Sequence, residues 1–485
     1  MNFRMIFHVM GTLLLVTATA MLFSVLCALF YFGEGDLLAL SVSVAVIAGV
    51  GFPLWYFFRA EHEASLKDAV FIATFGWIAV SAVSALPFMI YGAIPSFTDG
   101  FFEMMSGYTT TGATILTDIE VVPHGLIFWR SETHFIGGMG FLTLALMFMP
   151  HGVGGLRIFR AESSPGQAIT REKFIPRNRD AMVRLWNIYL GLNLAQVILQ
   201  CAGGMSVFDS FCHAFGAVST GGFSPYNKSL GSYDSAYFDW VNVVFMFLGG
   251  VNFILFYQLF HRRFKALRID TELKWYLGFM LFFSVFVSGI LWKDGTYGFF
   301  DSLRFGFFQV TSLLTTTGFA TADYELWPQS AQMFLYAVCF IGGCTGSTAS
   351  GIKIVHFAII WKFLVVAVKK AFVQPLTIMS VRINQHNVDQ SIVNLAVCYF
   401  ITNIFIVFGG GCLMVLIDNM DMTTAMSSII ATLMNIGPGF GDIGPTENYA
   451  HISVAGKWLL SFAMLVGRLD MFTALVIFYP SFWRQ

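Results

Sequence analysis

The sequence predicts an all-α polytopic membrane protein. Four pseudo-symmetric units of span, short helix, turn and span follow an N-terminal two-helix hairpin. Three observations carry this reading. Of the 485 residues, 56% are apolar and 11% charged, and the 54 Phe are twice the 27 Lys and Arg; an ordinary soluble domain carries roughly 25% charged residues. Ten apolar segments are long enough to cross a bilayer. Four shorter apolar segments, all on one side of the spans, each run into a glycine-containing turn.

Taken in order, the first span begins after Arg4. Ala18-Thr19-Ala20 resembles a signal cleavage site, but the apolar run continues to Phe32. That is too long for a signal h-region, so the span is expected to stay. With the segment at 37–58 it makes the hairpin, residues 1–65. The first unit, 66–155, holds spans at 68–92 and 125–150. The second, 180–262, holds 182–202 and 237–260. The third, 272–370, holds 274–292 and 330–368. The fourth, 388–485, holds 391–417 and 456–480.

Basic residues set the orientation. With the N-terminus inside, 20 Lys and Arg fall on the inner side. Only Arg130, Lys228, Lys293, Arg304 and Lys457 fall outside, while Lys353 and Arg468 lie within the membrane. This bias places both termini in the cytoplasm. Seventeen acids fall on the outer side by the same map. They either avoid the inner face or form a negative vestibule that concentrates cations.

The net charge of −1 excludes nucleic acid as an evident partner. The seven cysteines contain no CxxC pair, so they read as packing residues without a metal site or disulfide framework. Gly439-Phe440-Gly441-Asp442-Ile443-Gly444 spells GxGxxG, but it lies between membrane segments and lacks the βαβ context of a dinucleotide site. His151-Gly152-Val153-Gly154-Gly155 reads as the flexible end of a span.

The four turns carry the chemistry. Aligned, they read Thr109-Thr110-Thr111-Gly112, Ser219-Thr220-Gly221-Gly222, Thr315-Thr316-Thr317-Gly318 and Met434-Asn435-Ile436-Gly437. Asp99, Asp209, Asp301 and Asp421 stand at the expected starts of the short helices, where an acid caps the helix and suits its dipole. Non-helical backbone at membrane depth is allowed only where it lines a cavity or is buried in protein. Four such turns on one axis can ring it with carbonyl oxygens, which replace the hydration shell of an alkali cation. The Thr hydroxyls can add ligands or hydrogen-bond behind the ring. The fourth turn offers two glycines. Asn435-Ile436-Gly437 matches Thr-Thr-Gly and favours Gly437, whereas alignment on Gly-Phe would select Gly439.

Residues 330–368 are one apolar stretch of 39 residues, about 58 Å as a straight helix and twice a hydrocarbon core of roughly 30 Å. Its middle, Gly342 to Gly351, is small and polar. Either the helix is broken around a loop, or the small residues allow close helix packing. Arg468 stands near the middle of the 456–480 segment. An intramembrane charge is a functional candidate; Asp470, two positions on, leaves the opposite helix face.

At the four turns, in the Phe340–His356 stretch and at Arg468, the chain resembles the Trk/Ktr/HKT superfamily of potassium-translocating subunits over essentially its whole length. The resemblance implies one pore per subunit, built from four M1–P–M2 repeats. It implies a homodimer among the lipids of the bacterial cell inner membrane, and potassium (also rubidium) as the ion. The ion-binding residues would be Thr110, Thr111 and Gly112, then Thr220, Gly221 and Gly222, then Thr316, Thr317 and Gly318, then Asn435, Ile436 and Gly437. The 342–351 segment would be an intramembrane loop below the filter, with Gly346, Lys353 and Arg468 at the gate. The cytosolic partner would be the RCK-type, nucleotide-binding subunit TrkA, since this chain has no such segment. Glycine in all four turns is the family's potassium-selective pattern.

Two rival functions remain. Obligate coupling to protons or sodium needs a titratable group near the ion; Glu132, His134 and Asp470 are the candidates, and none is clearly placed. A membrane-embedded enzyme needs clustered His, Glu or Asp. HExxH is absent, and His134, His213 and His356 are isolated.

Overall fold

The computed structural model describes residues 1–59, 65–140, 178–372, 379–384, 386–469 and 471–483. The end of the expected 125–150 span, the glycine run at 151–155, the basic residues between 157 and 177, Asp470 and Arg484 lie outside the described residues.

Helices α1 (Phe3–Phe30) and α2 (Asp36–Phe57) form the N-terminal hairpin. They close on small residues: a Cβ on Gly11 would stand 2.8 Å from the Gly51 carbonyl oxygen. This is how helices approach when no solvent drives them together. Ser65 and Asp68 make a capping box for α3 (Leu66–Ser84), which α4 (Leu86–Tyr91) nearly continues. Asp68 also accepts from the Asn2 amide at 2.9 Å, which ties the hairpin to the first unit.

The first unit continues with α5 (Phe97–Tyr108) and α6 (His124–Gly138). The second has α7 (Asn178–Ala202), α8 (Val207–Val218), α9 (Ala236–Gly249) and α10 (Phe253–Phe260), followed by α11 (Phe264–Ile269). The third has α12 (Thr271–Asp294), α13 (Phe299–Leu314), α14 (Gln329–Val338) and α15 (Ile354–Lys370). A small hairpin, β1 (Arg382–Ile383) against β2 (His386–Asn387), leads to α16 (Gln390–Asp418), α17 (Met422–Leu433) and α18 (Val454–Arg468). Short helices α19 (Met471–Leu475) and α20 (Pro480–Trp483) end the chain.

Among the described residues six helices are long and apolar enough to cross a bilayer, or seven if the bent pair α9–α10 counts as one. The sequence offers ten apolar segments, of which 330–368 is already open to a break around a loop, and the differences have local causes. The 237–260 segment bends by 95° between α9 and α10. Asn252 accepts from the Ile254 amide at 2.9 Å and so starts a new helix. The 456–480 segment stays helical only to Arg468 and then breaks into short pieces. The 330–368 stretch is broken between Val338 and Ile354. The α6 helix is described only as far as its cap at Met139.

The acids at the short helices also sit differently from expectation. Ser96 and Ser206 are the caps of α5 and α8, and Gly298 precedes α13. Asp99, Asp209 and Asp301 stand inside the first turn, where they favour the dipole without capping. Only Asp421 is itself a cap; it accepts from Thr423 and Thr424 amides at 2.9 and 3.2 Å.

Candidate functional site

The four short helices end alike. The amides of Thr110, Thr220, Thr316 and Asn435 bond the carbonyl three residues back, at 3.0–3.2 Å. The next amides, of Thr111, Gly221, Thr317 and Ile436, bond the carbonyl five residues back, at 2.8–2.9 Å. This double bond pattern is the Schellman C-terminus, which requires a left-handed residue. Here that residue is not glycine: φ is 52° at Thr110, 57° at Thr220, 54° at Thr316 and 54° at Asn435. Each costs roughly 1–2 kcal/mol for a side-chain-bearing residue. Four recurrences of one strained geometry mark a built feature.

Two residues later the backbone is left-handed again, at Gly112, Gly222, Gly318 and Gly437 (φ 84°, 82°, 82° and 95°). These glycines are packed in a closed cycle. A Cβ on Gly112 would fall on the Gly221 carbonyl oxygen, one on Gly222 on that of Thr317, and one on Gly318 on that of Ile436. One on Gly437 would stand 2.5 Å from that of Thr111, which closes the circle. Gly437 takes the fourth place in this cycle; Gly439 packs against Ser427 and Ile443 instead. All four cycle glycines line one open cavity of about 70 Å³, together with Arg130, Glu447 and Tyr449.

The side chains behind the turns are bonded to one another. Thr109 and Thr111 hydroxyls meet at 2.8 Å, and Thr315 and Thr317 at 2.7 Å. Asn435 Nδ2 donates to Thr111 Oγ1 at 2.9 Å and to the Met464 carbonyl at 3.0 Å. The Thr220 hydroxyl donates to the Ser219 carbonyl at 2.6 Å. Where the second turn has Gly221 in place of a threonine, the His134 ring occupies the space, stacked on Phe223 at 4.0 Å. His134 thus fills a gap in the packing. Thr110 Oγ1 is buried and has no hydrogen-bond partner among the described residues.

Neighbouring turns are braced on the same side. Arg130 and Glu103, both buried, pair at 2.7 Å. Glu103 also accepts from Thr114 Oγ1 and the Ile115 amide, and Arg130 donates to the Ser224 carbonyl at 3.1 Å while lying over the Phe223 ring. Arg304 pairs with Asp239 at 2.5 Å and Lys457 with Asp99 at 2.6 Å. The Tyr324 hydroxyl donates to the Gly439 carbonyl at 2.7 Å.

The segment from Cys339 to Lys353 is a non-helical loop that bonds residues of the second, third and fourth units. Ser350 N donates to Thr316 Oγ1 at 2.9 Å, directly beneath a strained turn. Thr348 Oγ1 donates to the carbonyls of Val218 and Gly249, at 2.8 and 3.0 Å. Cys344 N donates to the Gly250 carbonyl at 2.9 Å, and the Gly346 carbonyl accepts from Phe253 N at 3.0 Å. Thus the bend in the second unit supplies two carbonyls, of Gly249 and Gly250, and the Phe253 amide that hold the loop. Gly346 is left-handed (φ 68°). Lys353 Nζ donates to the Ala349 carbonyl.

Arg468 grips the loop from the fourth unit. One guanidinium nitrogen donates to the Thr348 carbonyl at 2.8 Å and to Ser350 Oγ at 3.1 Å. The other donates to the Gly137 and Gly138 carbonyls of α6, at 2.6 and 2.9 Å. The residue is therefore a bracket between loop and first unit as well as a charge.

Sequence reasoning missed Glu272. It accepts from Thr345 N and Thr345 Oγ1, each at 2.7 Å, and from Val355 N at 3.3 Å. Its only sequence signal was an acid in a first helical turn, which looks like ordinary dipole pairing. Arg130 and Glu103 were visible as residues, but nothing in their spacing of 27 announced a pair.

A profile of the family described as "TrkH: Cation transport protein" matches residues 37–293 and 295–485. The Trk system potassium uptake protein TrkH of Halomonas elongata is 33% identical over 489 residues, covering 100% of both chains. That of Escherichia coli (strain K12) is 33% identical over 491 residues, again covering 100% of both. The crystal structure of the potassium transporter TrkH from Vibrio parahaemolyticus superposes with a TM-score of 0.89 at 29% identity, covering 100% of both chains.

Proposed function

The chain belongs to the TrkH family of cation transport proteins, a transport family rather than an enzyme family, and from that premise we propose that it is a potassium-selective, gated, channel-like pore for uptake. The observation that carries the reading is the closed cycle of Gly112, Gly222, Gly318 and Gly437 around one cavity. Left-handed glycines leave room for successive carbonyl oxygens to face a common axis, and a ring of carbonyls suits a dehydrated alkali cation. The turn residues from Thr110, Thr220, Thr316 and Asn435 through these glycines would supply the ligands. The 342–351 loop, with Gly346, Lys353 and Arg468, would close the path below them.

Pseudo-symmetric repeats, a bacterial inner-membrane location with both termini in the cytoplasm, and a homodimer fit this reading. So does regulation by a cytosolic RCK-type subunit such as TrkA. Channel-like passage is preferred to obligate coupling because the titratable groups near the turns are engaged in packing: Glu132 accepts from Ser24 at 2.9 Å, and His134 stacks on Phe223.

Rubidium uptake into liposomes containing only this protein tests the proposal. Uptake blocked by potassium and not by sodium supports it. Equal block by sodium, or a reversal potential that follows the proton gradient at fixed potassium, would overturn it.

A further inference from the structure

The N-terminus of α12 joins the loop to the β1–β2 hairpin. Glu272 holds both flanks of the loop's second half through one carboxylate: Thr345 by amide and hydroxyl, and Val355 by its amide. The residue before it, Thr271, is held by the hairpin. Thr271 N donates to Asn384 Oδ1 at 2.7 Å, and Asn384 N donates to Thr271 Oγ1 at 3.2 Å. Asn384 sits in the left-handed region (φ 48°) just after β1, a conformation that Asn tolerates better than most residues.

A second, separate link exists. Val381 and Ile383 of the hairpin are buried in one cluster with Val355, Ala358 and Ile359 of α15. The hairpin is therefore fastened to the two helix ends, α12 and α15, between which Glu272 makes its bonds. At its far side the loop reaches the ring through Ser350 and Thr316. Because Thr271 and Glu272 are consecutive in a helix, a shift of the hairpin moves the carboxylate with it.

We propose that Glu272 is a positioning residue for transport, the latch of the 342–351 loop, and that the 381–388 hairpin is the lever that sets it through Asn384. This rests on the gate reading given above. The carboxylate binds no ion in this scheme. It accepts three hydrogen bonds from segments that must separate for the loop to move.

The test uses the full-length chain in liposomes without a cytosolic partner, with rubidium flux normalised to folded protein. The variants are Glu272→Ala, Glu272→Gln, Asn384→Gly, the double Glu272→Ala/Asn384→Gly, and deletion of residues 345–350. Asn384→Gly keeps the left-handed backbone and removes the side-chain bonds to the Thr271 amide and to the helix cap Asp270. Glu272→Gln keeps an acceptor for the two amides. The expected result is several-fold higher flux in Glu272→Ala and Asn384→Gly, near-parental flux in Glu272→Gln, and no further rise in the double variant. Amide hydrogen exchange over 345–355 should quicken in the same two single variants, a readout that changes only if the latch bonds open. If Glu272→Ala does not fold, Asn384→Gly on the β1–β2 hairpin still decides. Parental flux and exchange in Asn384→Gly, or a double variant that multiplies the single effects, would overturn the lever. If the deletion leaves flux unchanged, the gate reading itself fails and the lever with it. A raised flux in the deletion with an inert Asn384→Gly would sink the lever alone.

Discussion

Asn435 Nδ2 lies 2.9 Å from Thr111 Oγ1 and donates to it, so the first and fourth turns are stitched together by residues 324 apart in sequence. This bond joins two turns that are not consecutive along the chain. Asn also serves the turn by tolerating its left-handed backbone.

The two roles of Asn435 can be separated. Asn435→Gly keeps the backbone and loses both side-chain bonds, each worth about 1 kcal/mol net. Asn435→Ala loses the bonds and adds left-handed strain of roughly 1–2 kcal/mol. Potassium-over-sodium preference, measured by competition with rubidium uptake, should fall in both and further in Ala. Unchanged preference in both variants would make the stitch irrelevant to the ring's shape.

Gly318→Ser should weaken discrimination against sodium. Its Cβ would fall on the Ile436 carbonyl oxygen, and the backbone is left-handed at φ 82°. The neighbouring carbonyl has to move, and a displaced carbonyl alters the ring. Growth of a potassium-uptake-deficient strain, with and without added sodium, reads this out. Equal growth in both media would remove Gly318 from the selective site.

Arg468 distinguishes a charge from a bracket. As a charge alone, Arg468→Lys should keep basal flux as low as the parent. As a bracket, it should not, because a single ammonium cannot reproduce a planar fork that serves two segments. The four bonded oxygens favour the bracket: Arg468→Ala should raise basal potassium flux on the order of tenfold, which corresponds to about 1.4 kcal/mol of closed-state preference. Arg468→Lys should fall between Ala and parent. A Lys variant indistinguishable from the parent would return the argument to charge repulsion.

The Arg130–Glu103 pair bears on stability. Both side chains are fully enclosed, at 1% and 0% exposure, and removing one partner of such a pair costs roughly 3–5 kcal/mol. Arg130→Met and Glu103→Gln should each lower the thermal midpoint of the detergent-solubilised protein by several degrees. The double variant should recover part of the loss, since no lone charge remains. Full additivity would show that the pair does not interact.

The sequence by itself determined the membrane-embedded helical class, because a chain with 11% charge cannot cover a soluble surface. It also marked the four turns. Left-handed backbone leaves a compositional trace, and glycine recurred at the same step after each short helix. It could not choose between Gly437 and Gly439, because both lie in one glycine-rich run and neither spacing excludes the other. Tertiary structure gives Gly437 the fourth position in the packed cycle, by placing the Thr111 carbonyl against it. It also decided the bend at Asn252, the grip of Arg468 on Gly137 and Gly138, and the bonds of Glu272 to Thr345 and Val355. These contacts end on backbone carbonyls and amides, which every residue possesses. A side chain that bonds a distant backbone leaves no mark at the other end of the bond, so only the folded chain reveals the pairing.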